Sequence, residues 1–185
     1  MKEYSGFSDL DLISQTQKGD NEAFSVIVSR YKDQVAKTVM GMMGNCMEAD
    51  DVGQETFIRF YRSMDKFRGD AALGTYLTRI AMNLSLNELK KRKRSRSLFS
   101  DNQEDTGEVH RSEAGNHQET DDVQEVVHLA IQELPPKYRS VIVLRMIEGY
   151  STKETAEILD LPMGTVLSRL ARAQKQLKDT LKHLI

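Results

Sequence analysis

Cysteine, proline and tryptophan are scarce in this chain of 185 residues, which contains one, three and none of them, respectively. The single cysteine, Cys46, excludes a disulfide within the chain and fits a reducing cytosol. It also has no neighbours at the spacing of a metal site. With 29% charged and 39% hydrophobic residues, the composition is typical of a soluble helical protein, and we predict no bound metal or cofactor.

Long apolar runs are missing as well. No segment approaches the roughly 20 apolar residues that are needed to cross a bilayer. The N-terminal stretch MKEYSGFSDLD lacks the basic and apolar regions of a signal peptide. We therefore expect a cytoplasmic protein that does not insert into a membrane.

Motifs of enzymes are also missing from the sequence. We find no phosphate-binding loop, no cluster of metal ligands and no pairing of a nucleophile with a base. Of the four histidines, His110 and His117 lie in a polar segment, and His128 and His183 are isolated. These features argue against an enzyme.

Charge is distributed unevenly, although the formal net charge is only −2. Residues 1–96 carry +3, residues 97–127 carry −8 and residues 128–185 carry +3. The middle segment has almost no large apolar residue before Val123, so it cannot bury enough surface to offset the entropy of ordering. We predict two small helical domains, residues 1–96 and 121–185, joined by a flexible acidic linker over residues 97–120. An ordinary surface loop is the simpler alternative for the linker.

Helical periodicity dominates residues 1–96. Asp20 can cap a long helix whose apolar stripe includes Ile27, Val35 and Val39 and which ends near Gly44. A second helix, EADDVGQETFIRFYR, is predicted to follow Asn45 as its cap.

The first turns of this second helix carry a group of polar and acidic side chains. Its members are Asp50, Asp51, Gln54 and Glu55. Acidic residues suit the N-terminus of a helix because they complement its dipole. Asp51, however, has no basic residue four positions later, so the group is left free for a cationic partner.

A third helix is predicted in FRGDAALGTYLTRIAMN, with Asp70 as its cap, and it continues into a basic run. The run consists of Lys90, Lys91, Arg92, Lys93, Arg94 and Arg96. Cations suit a helix C-terminus, but they also attract phosphates. Tyr76, Arg79 and Asn83 supply the aromatic, cationic and amide groups that stack on single-stranded bases and hydrogen-bond to their edges. A solvated helix end is the simpler interpretation of the same charges.

The last third of the chain has the pattern of a helix-turn-helix. Ser151 and Glu154 have the spacing of a capping box for a short helix that stops at Asp160, and a second helix is predicted to start at Pro162. Its buried face is predicted to contain Val166, Leu170, Ala173, Leu177, Leu181 and Leu184. Its other face carries Thr165, Ser168, Arg169, Arg172 and Lys175. Such a face meets base edges when the helix lies in a major groove, although a merely solvated face would show the same period.

Together these segments resemble regions 2.2, 2.3 to 2.4 and 4 of bacterial RNA polymerase σ factors of the extracytoplasmic-function (ECF) group. The resemblance rests on EADDVGQETFIRFYR, on FRGDAALGTYLTRIAMN and on the pair LPPKYRSVIVLRMIEGYSTKETAEIL and LPMGTVLSRLARAQ, in this order. It implies an all-α protein that confers promoter specificity on RNA polymerase and does not catalyse a reaction itself.

The resemblance also implies a role for each predicted site. Docking on the β′ clamp helices of core polymerase would fall to Asp50, Asp51, Gln54 and Glu55. Contacts with the −10 promoter element would fall to Arg68, Tyr76, Arg79, Asn83, Lys90, Lys91, Arg92 and Lys93, where Asn83 would help to hold a flipped base. Contacts with the −35 element would fall to Arg145, Thr165, Ser168, Arg169, Arg172 and Lys175, with Arg145 at a phosphate. The β flap of the polymerase and an anti-σ factor are the further partners implied, and the acidic linker would run towards the active centre.

The chain departs from the family pattern at several positions. Tyr76 stands where these factors usually have tryptophan, which keeps an aromatic wedge with less stacking area. Leu167 takes a position that is commonly arginine or lysine, and Ala171 one that is bulky in some members. Leu73-Gly74 replaces an aromatic and a polar or basic residue. Because glycine costs about 1 kcal/mol relative to alanine within a helix, we expect looser packing there.

A free-standing helix-turn-helix regulator is the alternative to a σ factor. In such a protein residues 1–95 would sense a signal or dimerise, and the chain would bind specific duplex DNA without polymerase.

Overall fold

The regular elements in the described residues are all helical. The structure is a computed structural model that describes residues 4–100 and 119–184, with side chains over 4–97 and 124–182. In chain order the helices are α1 (Asp9–Gln17), α2 (Asn21–Met43), α3 (Met47–Ser63), α4 (Leu73–Ser100), α5 (Glu119–Glu133), α6 (Pro136–Ile142), α7 (Thr152–Leu159) and α8 (Met163–Leu184). A 3₁₀ turn (Met64–Lys66) follows α3, and a π-helical turn (Val143–Ile147) follows α6. The predicted all-α fold is confirmed for these ranges.

The predicted linker falls largely outside the described residues. α4 extends to Ser100 and α5 begins at Glu119, so these two helices include both ends of the segment 97–120. The remainder, residues 101–118, lies outside the description, and with it His110 and His117.

Local capping explains the two helix ends that the sequence predicted best. The Asp20 carboxylate accepts a hydrogen bond from the Ala23 amide at the start of α2, which ends at Gly44 with a φ of 75°. At α7 both bonds of the capping box are present, because the Ser151 hydroxyl accepts from the Glu154 amide and the Glu154 carboxylate accepts from the Ser151 amide.

Two predicted helix caps are wrong. Asn45 does not cap α3, because the N-cap position is Cys46, whose side chain makes no capping bond. Asp70 lies three residues before the first residue of α4. The predicted start of α8 at Pro162 agrees with the structure to within one residue, since α8 begins at Met163 and the Pro162 carbonyl accepts the Val166 amide.

The first domain packs α1 and α3 around the pair α2 and α4. Its fully buried side chains include Leu12, Ile27, Val35, Met42, Phe60, Leu73, Leu77 and Met82. The apolar stripe predicted for α2 is thus the side of that helix that faces the core.

Gly74 is buried where α4 crosses α2. A Cβ atom built on Gly74 would lie 2.8 Å from Oε1 of Gln34 and 3.1 Å from Cε1 of Tyr31. The expectation of loose packing at Gly74 is therefore wrong. The missing side chain lets the two helices approach closely, and this contact offsets the low helix propensity of glycine.

The second domain has a core of its own and also contributes side chains to the core of the first domain. Its own core contains Ile131, Tyr138, Val141, Ile142, Val166 and Ala173. Val143, Leu144 and Ile158 are instead buried within the cluster of the first domain, each at most 1% exposed. The two domains therefore share an apolar interface.

Arg139 links the ends of α2 and α5 at this interface. Its guanidinium donates to the carbonyl oxygens of Met42, Gln132 and Leu134, the last over 3.0 Å. Burial lowers the pKa of Arg139 to about 10, so the group remains charged at neutral pH. A cation thus satisfies the carbonyls that two helix C-termini leave without helical partners.

Candidate nucleic-acid and partner interfaces

The acidic group of α3 lies on the outer surface of the first domain. Asp50, Asp51 and Gln54 are exposed, whereas Glu55 is partly buried and its carboxylate lies 2.9 Å from Nε of Arg59. Within the side chains that the structure describes, Asp50 and Asp51 have no ion-pair partner. These two carboxylates are therefore available to a cationic partner.

Exposed apolar side chains extend the same face of α3. Met47 is 82% exposed, Ile58 43% and Tyr61 47%. Met47 lies three and four residues before Asp50 and Asp51, Ile58 lies four residues after Gln54, and Tyr61 lies three residues after Ile58, so the six side chains share one side of the helix. These three residues were not predicted as part of the site, although their helical spacing relative to the acidic group was a signal in the sequence. We call this surface the α3 face, made of residues 47, 50, 51, 54, 58 and 61.

A polar stripe runs along α4. It consists of Tyr76, Arg79, Asn83, Asn87, Lys90, Lys91 and Arg94. These residues recur every three or four positions, so they follow one another on one side of the helix over about 27 Å. Near its C-terminal end, an open groove of about 550 Å³ is lined by Asn87, Lys90, Lys91, Arg94 and Ser95. We call this surface the α4 stripe.

Tyr76 anchors the N-terminal end of the α4 stripe. It is partly buried, and its ring packs edge-on against Phe67 and Phe60, with centroid distances of 5.2 and 6.1 Å. Arg68, just before α4, is exposed. These ring contacts fix the orientation of Tyr76.

Three of the basic residues predicted to contact the −10 element already have partners within the chain. Arg92 points to the start of α3, where its guanidinium lies 3.1 Å from the Glu48 carboxylate and 3.2 Å from Sγ of Cys46. Arg79 donates to the carbonyl of Glu157 in α7 over 2.6 Å. Lys91 lies 3.6 Å from the Glu88 carboxylate but is exposed, as are Lys90 and Lys93.

The residues predicted on α8 are divided between an exposed and a partly buried set. Ser168, Arg172 and Lys175 are exposed, whereas Thr165 and Arg169 are partly buried on the flank nearer the core. Arg145 is also partly buried, and its guanidinium donates to the carbonyl of Tyr150. The structure thus places the centre of the outward face at Ser168.

The described ranges contain neither a membrane-spanning helix nor a cluster of metal-ligating side chains. None of the helices there has a stretch long and apolar enough to cross a membrane. The same residues contain no group of three or more histidine, cysteine or acidic side chains that could hold a metal ion.

Comparison with protein families gives two matches. Residues 27–95 match the family described as Sigma-70 region 2, and residues 124–177 match Sigma-70, region 4. The RNA polymerase sigma-H factor of Pseudomonas aeruginosa is 34% identical over 184 residues, covering 96% of this chain and 95% of that protein. The ECF RNA polymerase sigma-E factor of Escherichia coli K12 is 36% identical over 185 residues, covering 96% of each. The chain belongs to the ECF group of RNA polymerase σ factors.

Two solved structures are similar to this σ factor. One is CnrH in complex with the cytosolic domain of CnrY, with a TM-score of 0.65, 25% identity and coverage of 93% of this chain and 96% of CnrH. The other is the sigma factor RpoE in complex with the anti-sigma factor NepR from Bartonella quintana, with a TM-score of 0.67, 21% identity and coverage of 86% and 96%. The second likeness, at this identity, concerns the fold alone.

The two family matches follow the architecture of the σ factor. The region 2 match spans α2 to α4, and the region 4 match spans α5 to most of α8. The matches favour a σ factor over the free-standing regulator.

Proposed function

We propose that residues 1–96 of this σ factor bind core RNA polymerase and the −10 element, and that residues 121–185 bind the −35 element. The observation that carries this assignment is the difference between the two exposed surfaces. The α4 stripe combines an aromatic ring, amides and cations, whereas the outward face of α8 belongs to a helix-turn-helix. The first chemistry suits melted strands and the second suits a duplex groove.

The α3 face is the surface that we assign to core polymerase. Asp50 and Asp51 offer charge, and Met47, Ile58 and Tyr61 offer apolar area around them. Apolar contacts supply affinity, while unpaired rim charges supply orientation and a fast approach. The β′ clamp helices are the proposed partner of this face, and the β flap is the proposed partner of the second domain.

The α4 stripe is the surface that we assign to the −10 element. Lys90, Lys91 and Arg94 would contact phosphates, and their contribution would weaken as salt increases. Tyr76 would stack on an unstacked base, and Asn83 would hydrogen-bond to a flipped one. Strand opening is favoured because these contacts are offered only to separated bases.

The remaining partners follow from the same surfaces. An anti-σ factor, such as NepR in the Bartonella quintana complex, would compete for the faces that polymerase uses. Core polymerase is cytoplasmic in bacteria, and we infer the same location for this chain. The σ factor would select and open promoters without catalysing a reaction itself.

Run-off transcription tests the proposal. Purified bacterial core polymerase transcribes a genomic fragment library with and without the σ factor. We expect σ-dependent transcripts that start downstream of a shared pair of sequence motifs. Absence of such transcripts, together with tight duplex binding by the σ factor alone, would favour a free-standing regulator instead.

A further inference from the structure

The outward face of α8 carries an apolar strip beside a polar strip. Leu167 and Ala171 are both exposed and lie four residues apart, so they are neighbours on the helix surface. Ser168 and Arg172 lie one position further along and form the parallel polar strip. Val166, on the opposite side of the helix, is fully buried. The apolar strip is therefore part of the solvent-facing surface and not of the core.

Leu167 is positioned to reach DNA. It is 55% exposed, and it is the fifth residue of α8, in the half of a recognition helix that enters a major groove. Downstream of it the helix presents Arg169, Arg172, Lys175 and Lys178 before its one acidic residue, Asp179. A surface with this charge fits a duplex, whose phosphates flank the groove.

Polar groups next to Leu167 are already engaged within the chain. The Ser168 hydroxyl donates to the carbonyl of Thr165 over 3.0 Å. The Arg172 guanidinium lies close enough to the hydroxyl of Tyr138 to lower the pKa of that hydroxyl. Leu167 has only apolar contacts to offer, and the C5 methyl of thymine is the apolar group that base edges expose in the major groove.

We propose that Leu167, which lies beside Ala171 on the helix surface, reads the C5 methyl of a thymine in the −35 duplex. This inference rests on the proposed role of α8 in −35 recognition. An arginine at position 167 could pair with O6 and N7 of guanine, whereas leucine cannot. Leucine instead of arginine at position 167 would thus replace a preference for guanine by a preference for thymine.

Replacement of thymine by deoxyuridine, which lacks only the C5 methyl, tests the inference. Holoenzyme made from bacterial core polymerase and this σ factor first selects −35 duplexes from a randomised library. Each thymine of the selected sequence is then replaced singly. We expect one replacement to weaken holoenzyme binding about fourfold, the value for loss of one buried methyl group. The same replacement should have no effect on holoenzyme that carries Leu167→Ala.

A matched variant and the other outcomes make the test decisive. Leu129→Ala removes a leucine of α5 that is 51% exposed, and this holoenzyme should keep the full penalty for deoxyuridine. Wild-type holoenzyme that ignores deoxyuridine at every position, or a penalty that survives in Leu167→Ala, would overturn the inference. Selection of no sequence at all would overturn the proposed function. Thermal unfolding of Leu167→Ala checks that the fold is retained.

Discussion

Gly74 and Gly53 are both helical glycines, but packing requires only one of them. A Cβ atom at Gly74 would lie 2.8 Å from Gln34, whereas nothing lies within 4 Å of a Cβ atom at Gly53. Gln34 is not free to move aside, because its amide donates to the hydroxyls of Tyr150 over 2.9 Å and Thr78 over 3.2 Å. The same residue type therefore has opposite energetic consequences at the two positions.

Alanine substitution of the two glycines should change stability in opposite directions. We expect Gly74→Ala to lower the free energy of unfolding by about 1–3 kcal/mol, because the new methyl displaces Gln34 and strains the α2–α4 contact. Gly53→Ala should raise it by about 0.5–1 kcal/mol through helix propensity alone. Urea unfolding followed by circular dichroism measures both. Equal stabilisation by the two substitutions would contradict the packing argument.

Asp51 provides the residue-scale test of polymerase binding. We expect Asp51→Arg to weaken binding to core polymerase at least tenfold, since two unlike charges become like ones at the contact. Unfolding should be unchanged, because Asp51 is exposed and unpaired within the described side chains. Fluorescence anisotropy with labelled σ factor gives the affinity. Asp33→Arg, an exposed acid of α2, is the control and should bind normally.

At the scale of elements, α7 is a helix of eight residues whose start depends on one capping box. Isolated helices of this length are marginal in water, so the cap contributes a large share of its local stability. Hydrogen bonds to Ser151 hold the pKa of Glu154 below its usual value. A carboxylate with a lowered pKa stabilises the folded state above its ordinary pKa, and the contribution is lost as the pH falls through the lowered value.

Removal of the cap should weaken the second domain. Ser151→Ala is expected to cost about 1 kcal/mol at pH 7, because the Glu154 amide loses its acceptor. Glu154→Gln should be less stable than wild type at pH 7, and the difference should diminish as the pH falls below about 4. Thermal melts over this pH range follow both effects. A Glu154→Gln difference that is independent of pH would exclude the ionised carboxylate as the stabilising group.

The elements also show what could be predicted from sequence. The cap at Ser151, the apolar stripe of α2 and the part of the α8 stripe that runs from Val166 to Leu177 depend on residues three or four positions apart, and these were predicted correctly. Burial of Gly74 against Gln34 and the hydrogen bond from Arg79 to Glu157 join distant parts of the chain. No periodicity or local preference reports such contacts. A DNA-binding role of Arg79 was therefore predicted from sequence, but its hydrogen bond to Glu157 was not.

At the scale of the whole molecule, the proposed promoter contacts would require the two domains to move apart. The −10 and −35 elements are centred about 25 base pairs apart, which is about 85 Å along B-form DNA. In the structure α4 and α7 are in direct contact, with Nη2 of Arg79 2.6 Å from the Glu157 carbonyl oxygen. Val143 and Ile158 of the second domain are buried in the core cluster of the first. If the two domains bind the two promoter elements as we propose, they must therefore separate.

A disulfide across this interface should block transcription reversibly. A Cβ atom built on Gly41 lies 3.7 Å from Cβ of Val143, within the range of 3.5–4.5 Å that disulfides adopt. The test variant combines Gly41→Cys and Val143→Cys with Cys46→Ser, which avoids mispairing. We expect this variant to lose run-off transcription when it is oxidised. Reductant should restore it, because the domains can then separate.

Two controls decide how the result of the disulfide experiment is interpreted. The variant with Val143→Cys and Cys46→Ser alone has no second thiol at the interface and should transcribe equally with and without reductant. Small-angle X-ray scattering measures the radius of gyration of the double-cysteine variant. We expect it to increase when the reduced form binds DNA, whereas the oxidised form should stay compact. Full transcription by a demonstrably oxidised protein would mean that both promoter elements can be contacted without domain separation. Because the two promoter elements lie far apart on the DNA, that outcome would be incompatible with the direct contact between α4 and α7.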